Sequence, residues 1–153
     1  MKRKQIRLHL EKILKNHDIF YNIKENKRKK ITEIEILFSS LPLEFHPAKI
    51  FIYQKYIECN LLCWTIYEKV MQEEKEVLLL SLLQDFLNKN LKIQVFYHKN
   101  KPVFCKVYCF KENYWELYQK CKEPLFFNHK NYEALEWDID DLTQKKAKEV
   151  VDE

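Results

Sequence analysis

The 153-residue sequence predicts an α+β fold: a single domain with an antiparallel sheet built from hairpins and helices packed mainly on one face. Three observations carry this. The stretch ITEIEILF, residues 31–38, alternates Ile34 and Ile36 with Glu33 and Glu35, the period of a half-buried strand. Residues 73–89, EEKEVLLLSLLQDFLNK, are too apolar for a surface helix and need a sheet to lie on. Strand-like segments fall in adjacent pairs, as hairpins do, and do not alternate with helices as a parallel sheet requires.

The elements follow in order. Residues 1–16 form a basic N-terminal helix, with Ile6, Leu10, Ile13 and Leu14 on one stripe. Residues 17–110 hold the sheet and the buried helix. Within them 18–24 and 31–38 are strands joined by a charged connection, and 39–47, with two prolines, is a loop. Residues 48–69 are rich in β-branched and aromatic side chains but too long for one strand. A turn at Asn60 divides them into a hairpin of about 49–57 and 61–69. The helix 73–89 opens on acidic residues and ends at Lys89, with Asn90 in the left-handed position usually given to glycine. A second hairpin pairs 91–97 with 103–110 across Lys99 to Pro102. Residues 111–153 make a C-terminal helical and irregular segment. A short helix is expected at 112–121, with Tyr114, Tyr118 and Cys121 on one side. An irregular stretch follows at 125–137, then a helix 142–152 capped by Asp141.

Composition excludes several functions. The sequence contains no glycine. Phosphate-cradling loops, dinucleotide fingerprints and the G-x-S-x-G nucleophile turn all need glycine backbone and are absent, so no cofactor is expected. No signal peptide or membrane-length apolar run is visible, which predicts a cytoplasmic protein without membrane partners and with five free thiols.

The cysteines raise a sharper question. Cys59 and Cys63 are four apart, as are Cys105 and Cys109. On a strand that spacing separates the sulfurs by about 13 Å, too far for a disulfide or one metal ion. Core burial is the expectation, and no metal ligand is assigned. A metal site would need Cys63 and Cys105 to meet across strands, with His98 the nearest further ligand in sequence. No H-E-x-x-H grouping exists among the five histidines. Glu33 with Glu35, and Asp138, Asp140 and Asp141, read as a solvent-facing strand edge and a capped helix start. No catalytic residue is assigned.

Two surfaces remain. The first 30 residues hold 11 Lys and Arg against 3 Asp and Glu, a local +8, whereas the rest hold 16 against 20, or −4. Lys2, Arg3, Lys4 and Arg7 on the first helix, with Lys27, Arg28, Lys29 and Lys30, could track a phosphate backbone, with Tyr21, Tyr53 and Tyr56 as stacking platforms. The ordinary alternative is a solvated charged face. Aromatic residues are 14% of the chain, generous for one core. Tyr114, Trp115, Phe126, Phe127, Tyr132 and Trp137 are therefore expected to meet a protein partner, a toxin or enzyme being one type, since rings give large contact area with few rotors. The alternative is that they cap the sheet. The leading expectation is a non-enzymatic protein-binding module of the inhibitor or immunity kind. A nucleic-acid-binding protein comes second, and a chaperone-like binder or a small Cys/His metal protein third. In element order alone, without a shared motif, the chain is similar to small secretion chaperones of the α+β sandwich type.

Overall fold

The computed structural model describes residues 2–70, 77–125 and 127–143. Helix α1 (Arg3–Asn16) buries Ile6, Leu10 and Leu14, the stripe expected from its spacing. Five strands follow: β1 (Phe20–Asn26), β2 (Ile31–Leu37), β3 (Ala48–Ile52), β4 (Tyr56–Leu61) and β5 (Trp64–Lys69). They form an antiparallel meander in chain order. Helix α2 (Leu78–Leu87) leads to a second antiparallel sheet of β6 (Leu91–His98), β7 (Lys101–Lys111), β8 (Tyr114–Cys121) and β9 (Glu133–Trp137), in the order β8-β7-β6-β9. A 3-10 turn at His129–Asn131 precedes β9, and α3 (Ile139–Thr143) follows it.

The α+β class and the antiparallel pairing are as expected, but the single sheet is two. Helix α2 packs against both β5 and β6, so the strand after it opens a new sheet instead of extending the first. One continuous core joins them. It holds the α1 stripe, Ile34, Ile50, Ile52 and Ile57 of the first sheet, Leu79, Leu83 and Phe86 of α2, and Ile93, Val95 and Val107 of the second.

Three further expectations are corrected. Asn60 is not a turn but lies within β4, where its side chain donates to Glu58 and accepts from Thr65. The chain reverses at Leu62 and Cys63, between the paired Leu61 and Trp64, and an earlier reversal at 53–55 makes three strands of the expected two. Residues 112–121 are not helical. Glu112 and Asn113 both take positive φ, 45° and 74°, the requirement of a tight two-residue hairpin turn, and the rings beyond them continue as β8. The stretch 125–137 is irregular only in its first half, because Glu133–Trp137 completes the sheet beside β6.

Helix ends also differ. The acidic opening of the 73–89 helix, Glu73, Glu74 and Glu76, lies outside the described residues, and α2 starts at Leu78 with no acid in its first turn. Its amides are capped from β5 instead: Leu78 and Leu79 N–H donate to the Glu68 carboxylate at 2.9 and 2.8 Å. Lys89, not Asn90, takes the left-handed position after it, φ 65°. The last helix begins at Ile139, capped by reciprocal bonds between the Asp138 and Asp141 amides and carboxylates. Residues 144–152 of the expected 142–152 helix lie outside the described residues.

Candidate functional site: an exposed edge strand and a thiol cluster

Strand β8 is an edge of the second sheet, and Tyr114 to Tyr118 are exposed. Its register places Trp115 opposite Phe110, and Leu117 opposite Tyr108, on the face turned away from the core. Lys92 crosses that face, with Nζ 4.4 Å from the Trp115 ring centroid and an ion pair to Glu136 at 2.7 Å. A β-bulge between Val107 and Tyr108 leaves Tyr118 as the extra residue and breaks the regular alternation of β8. The result is a patch along β8, with Phe110, Trp115 and Leu117 on this face, Tyr114 on the opposite side at the hairpin end and Tyr118 at the bulge, each 38–54% exposed. An isolated exposed ring needs no explanation, but five large apolar side chains beside an unpaired strand edge do.

The expected interface residues therefore divide. Tyr114 and Trp115 belong to this patch. Phe127 and Tyr132 instead pack edge-on over Phe104, which stacks on Phe96 at 4.4 Å, so they cover the sheet. Trp137 is half-buried, edge-on to Phe45 at 6.1 Å. Phe126 lies outside the described residues. Phe110, Leu117 and Tyr118 escaped the sequence reading. The two-residue turn at Glu112-Asn113 was the signal that would have found them.

The basic residues do not form one surface. Arg7 is paired with Glu11 at 3.3 Å and Glu25 at 2.7 Å, which ties α1 to β1 and offsets its charge. The Lys2 amide is used in capping α1 through Gln5. Lys4 is exposed and Arg3 half-buried on the same helix. Lys27 to Lys30 form the β1–β2 turn, with the Lys29 amide bound by Asn26. Lys27, Arg28 and Lys29 line a surface depression of about 760 Å³ with Phe51 and Tyr53. Tyr21 is half-buried against the core, and its hydroxyl donates to Glu11. Tyr53 and Tyr56 stack on each other at 4.3 Å, which occupies one face of each. Glu33 pairs with Lys49 on the outer face of the sheet.

The cysteines regroup by fold, not by spacing. Cys59 faces the core, and burial pushes its thiol up to about 12. Cys109 is half-buried opposite Leu91. Cys105 of β7 is paired directly with Cys121 of β8, and the β4–β5 turn brings Cys63 against both. The Cys105 thiol neighbours both, and the interaction holds its own proton tightly and lowers the Cys63 and Cys121 thiols, Cys121 to about 6. When protonated, Cys121 donates to the Cys63 carbonyl at 3.6 Å; when ionised, it also accepts from the Thr65 amide. Lys122 favours both thiolates. Cys63 is half-buried and lines a depression of about 490 Å³ with His46, Lys101 and Lys122.

His98 is not part of this cluster; its Nδ1 lies 3.1 Å from the Asn131 carbonyl and its ring beside Tyr132. Among the described residues no three His, Cys, Asp or Glu side chains are placed to hold a metal ion. Nor is any helix among them long and apolar enough to cross a membrane. No protein-family model matches the chain, and no curated protein and no solved structure matches it.

Proposed function

We propose that the chain is a non-enzymatic protein-binding module, of the inhibitor or immunity kind, which receives its partner on β8. The observation that supports this is the exposed patch of Phe110, Tyr114, Trp115, Leu117 and Tyr118 along an unpaired strand edge. An edge strand offers amides and carbonyls to an extended segment of a partner, and side chains on alternate positions supply specificity. Trp115 is the anchor, since buried rings dominate the energy of such contacts. The partner segment this fits is extended and apolar at alternate residues.

A second reading rests on Lys27, Arg28 and Lys29 around the depression that Phe51 and Tyr53 line: single-stranded nucleic acid, held by phosphate contacts and one stacked base. One experiment separates the two. Tagged chain is used to retain partners from a cell extract, with and without nuclease. On the first reading Trp115→Lys with Leu117→Lys reduces retention of one protein at least about tenfold, a hot-spot loss. Lys27→Glu with Arg28→Glu leaves it unchanged, as does nuclease. Retention that survives the β8 substitutions overturns the first reading. Loss with nuclease and with the lysine substitutions establishes the second.

A further inference from the structure

We infer that Cys63, Cys105 and Cys121 form a thiol–disulfide site, in which a hydroperoxide oxidises Cys63 and Cys105 resolves it into a disulfide linking the two sheets. Neither proposed binding surface uses these residues.

Three features distinguish the cluster from cysteines that merely fill a core. First, the three cysteines come from separate strands or turns, with Cys105 directly opposite Cys121 across the β7–β8 ladder and Cys121 Sγ 3.6 Å from the Cys63 carbonyl, an arrangement that sequence proximity does not impose. Second, the members differ in access. Cys105 is fully buried and Cys121 nearly so, whereas Cys63 sits at a turn and borders an open depression. Third, the charge around Cys63 suits a thiolate: Lys101 and Lys122 line the same depression against one carboxylate, Glu44, and the neighbouring Cys105 thiol lowers the Cys63 thiol. Reactive cysteines occupy such electropositive, partly exposed settings, and buried structural ones do not. Cys59 and Cys109 lie in the same chain as internal controls, Cys59 with its thiol held up by burial.

The chemistry balances with a hydroperoxide as the only co-reactant. The Cys63 thiolate attacks one peroxide oxygen; an S–O bond forms, the O–O bond breaks, and hydroxide or alkoxide leaves and is protonated by water. Cys63 is then a sulfenic acid. The Cys105 thiol attacks the Cys63 sulfur. The S–S bond forms, the S–O bond breaks, and the departing hydroxide takes the Cys105 proton and leaves as water. Two thiols have lost two electrons to the peroxide. Cys121, opposite Cys105 in the β7–β8 ladder, is a positioning residue, not one of the bonded pair.

The test treats the intact chain with stoichiometric hydrogen peroxide at pH 7. Free thiols fall from five to three, and non-reducing peptide mapping finds Cys63 joined to Cys105. Oxidation runs faster than that of free cysteine, the direction a larger thiolate fraction sets. Cys63→Ser abolishes the reaction and Cys109→Ser does not alter it. Cys121→Ser leaves the first step intact and slows the second, so that sulfenic acid accumulates and is trapped by a 1,3-dicarbonyl reagent. Circular dichroism checks that each variant is folded, and should Cys63→Ser not fold, the trapped sulfenic acid in Cys121→Ser is mapped instead to Cys63. Five thiols surviving peroxide, a disulfide between Cys105 and Cys121, or oxidation first at Cys59 or Cys109 would each overturn the proposal.

Discussion

Glu68→Ala tests how α2 is held. The helix has no acid in its first turn, and its N-terminal flanking residue, Val77, has no side chain able to accept a hydrogen bond. Both of its capping bonds come from one carboxylate on β5, to Leu78 N–H at 2.9 Å and Leu79 N–H at 2.8 Å. Loss of a capping side chain costs about 1 kcal/mol. The negative charge at the positive end of the helix adds about 0.5 kcal/mol. The second bonded amide raises the total for Glu68→Ala to about 2 kcal/mol. Glu68→Gln keeps an acceptor but loses the charge, so it costs about half as much. At this chain length each kcal/mol lowers Tm by roughly 2–4 °C, so Ala gives a fall of about 4–8 °C. Urea unfolding followed by circular dichroism and by the fluorescence of the buried Trp64 reads the change. Glu58→Ala is the control, since Glu58 accepts from the Asn60 side chain on the outer face of the same sheet and caps no helix, and it changes stability by under about 0.5 kcal/mol. If Glu68→Ala unfolds within about 0.5 kcal/mol of the parent, β5 does not cap α2 and the reasoning fails.

Other predictions concern packing, turns and thiols. Phe104→Ala removes a fully buried ring stacked on Phe96 and costs about 3–5 kcal/mol by chemical unfolding. Glu112→Asn with Asn113→Gly keeps the hairpin turn and relieves two side chains held at positive φ; the urea midpoint rises, equivalent to about 1 kcal/mol. Thiolate absorbance shows a step near pH 6 that Cys121→Ser removes. The sign for stability follows from the lowered value: the Cys121 contribution is complete above the ordinary thiol range near 9 and is lost as pH falls through 6. A chain whose stability is unchanged by Cys121→Ser between pH 6 and 9 contradicts that.

Amphipathic elements were legible because their periods are local. The spacing of Ile6, Leu10 and Leu14 and the alternation of Ile34 and Ile36 survive unchanged in the fold. Turns were harder because glycine, their usual marker, is absent. Nine of the described residues take positive φ, and only Asp18, Asn100 and Asn113 among them are the types that tolerate it best; four are lysines. Reading Asn as the substitute for Gly therefore located the Lys99-Asn100 turn but placed a false turn at Asn60, put the left-handed position after α2 at Asn90 instead of Lys89, and missed Glu112-Asn113. That last turn decided whether Tyr114 to Cys121 was helix or strand, and with it the exposed patch. The thiol cluster was beyond any local rule. Spacing excluded the C-x3-C pairs as ligand pairs and suggested Cys63 with Cys105, but Cys121 joins them only because β8 is a strand in register with β7.

The pairing of β9 with β6 has a kinetic consequence. Every ladder of the first sheet, and both other ladders of the second, join strands that are neighbours in sequence. Such contacts close short loops and form quickly. The β6–β9 ladder instead brings Ile93 to Trp137 across two intervening strands, so its closure follows the β6–β7–β8 hairpins. The segment it draws in also carries α3, whose Leu142 carbonyl accepts from the Ser40 amide in the loop between β2 and β3. Docking of β9 is thus a late step, and the helix it carries ties the end of the described chain to the loop between β2 and β3.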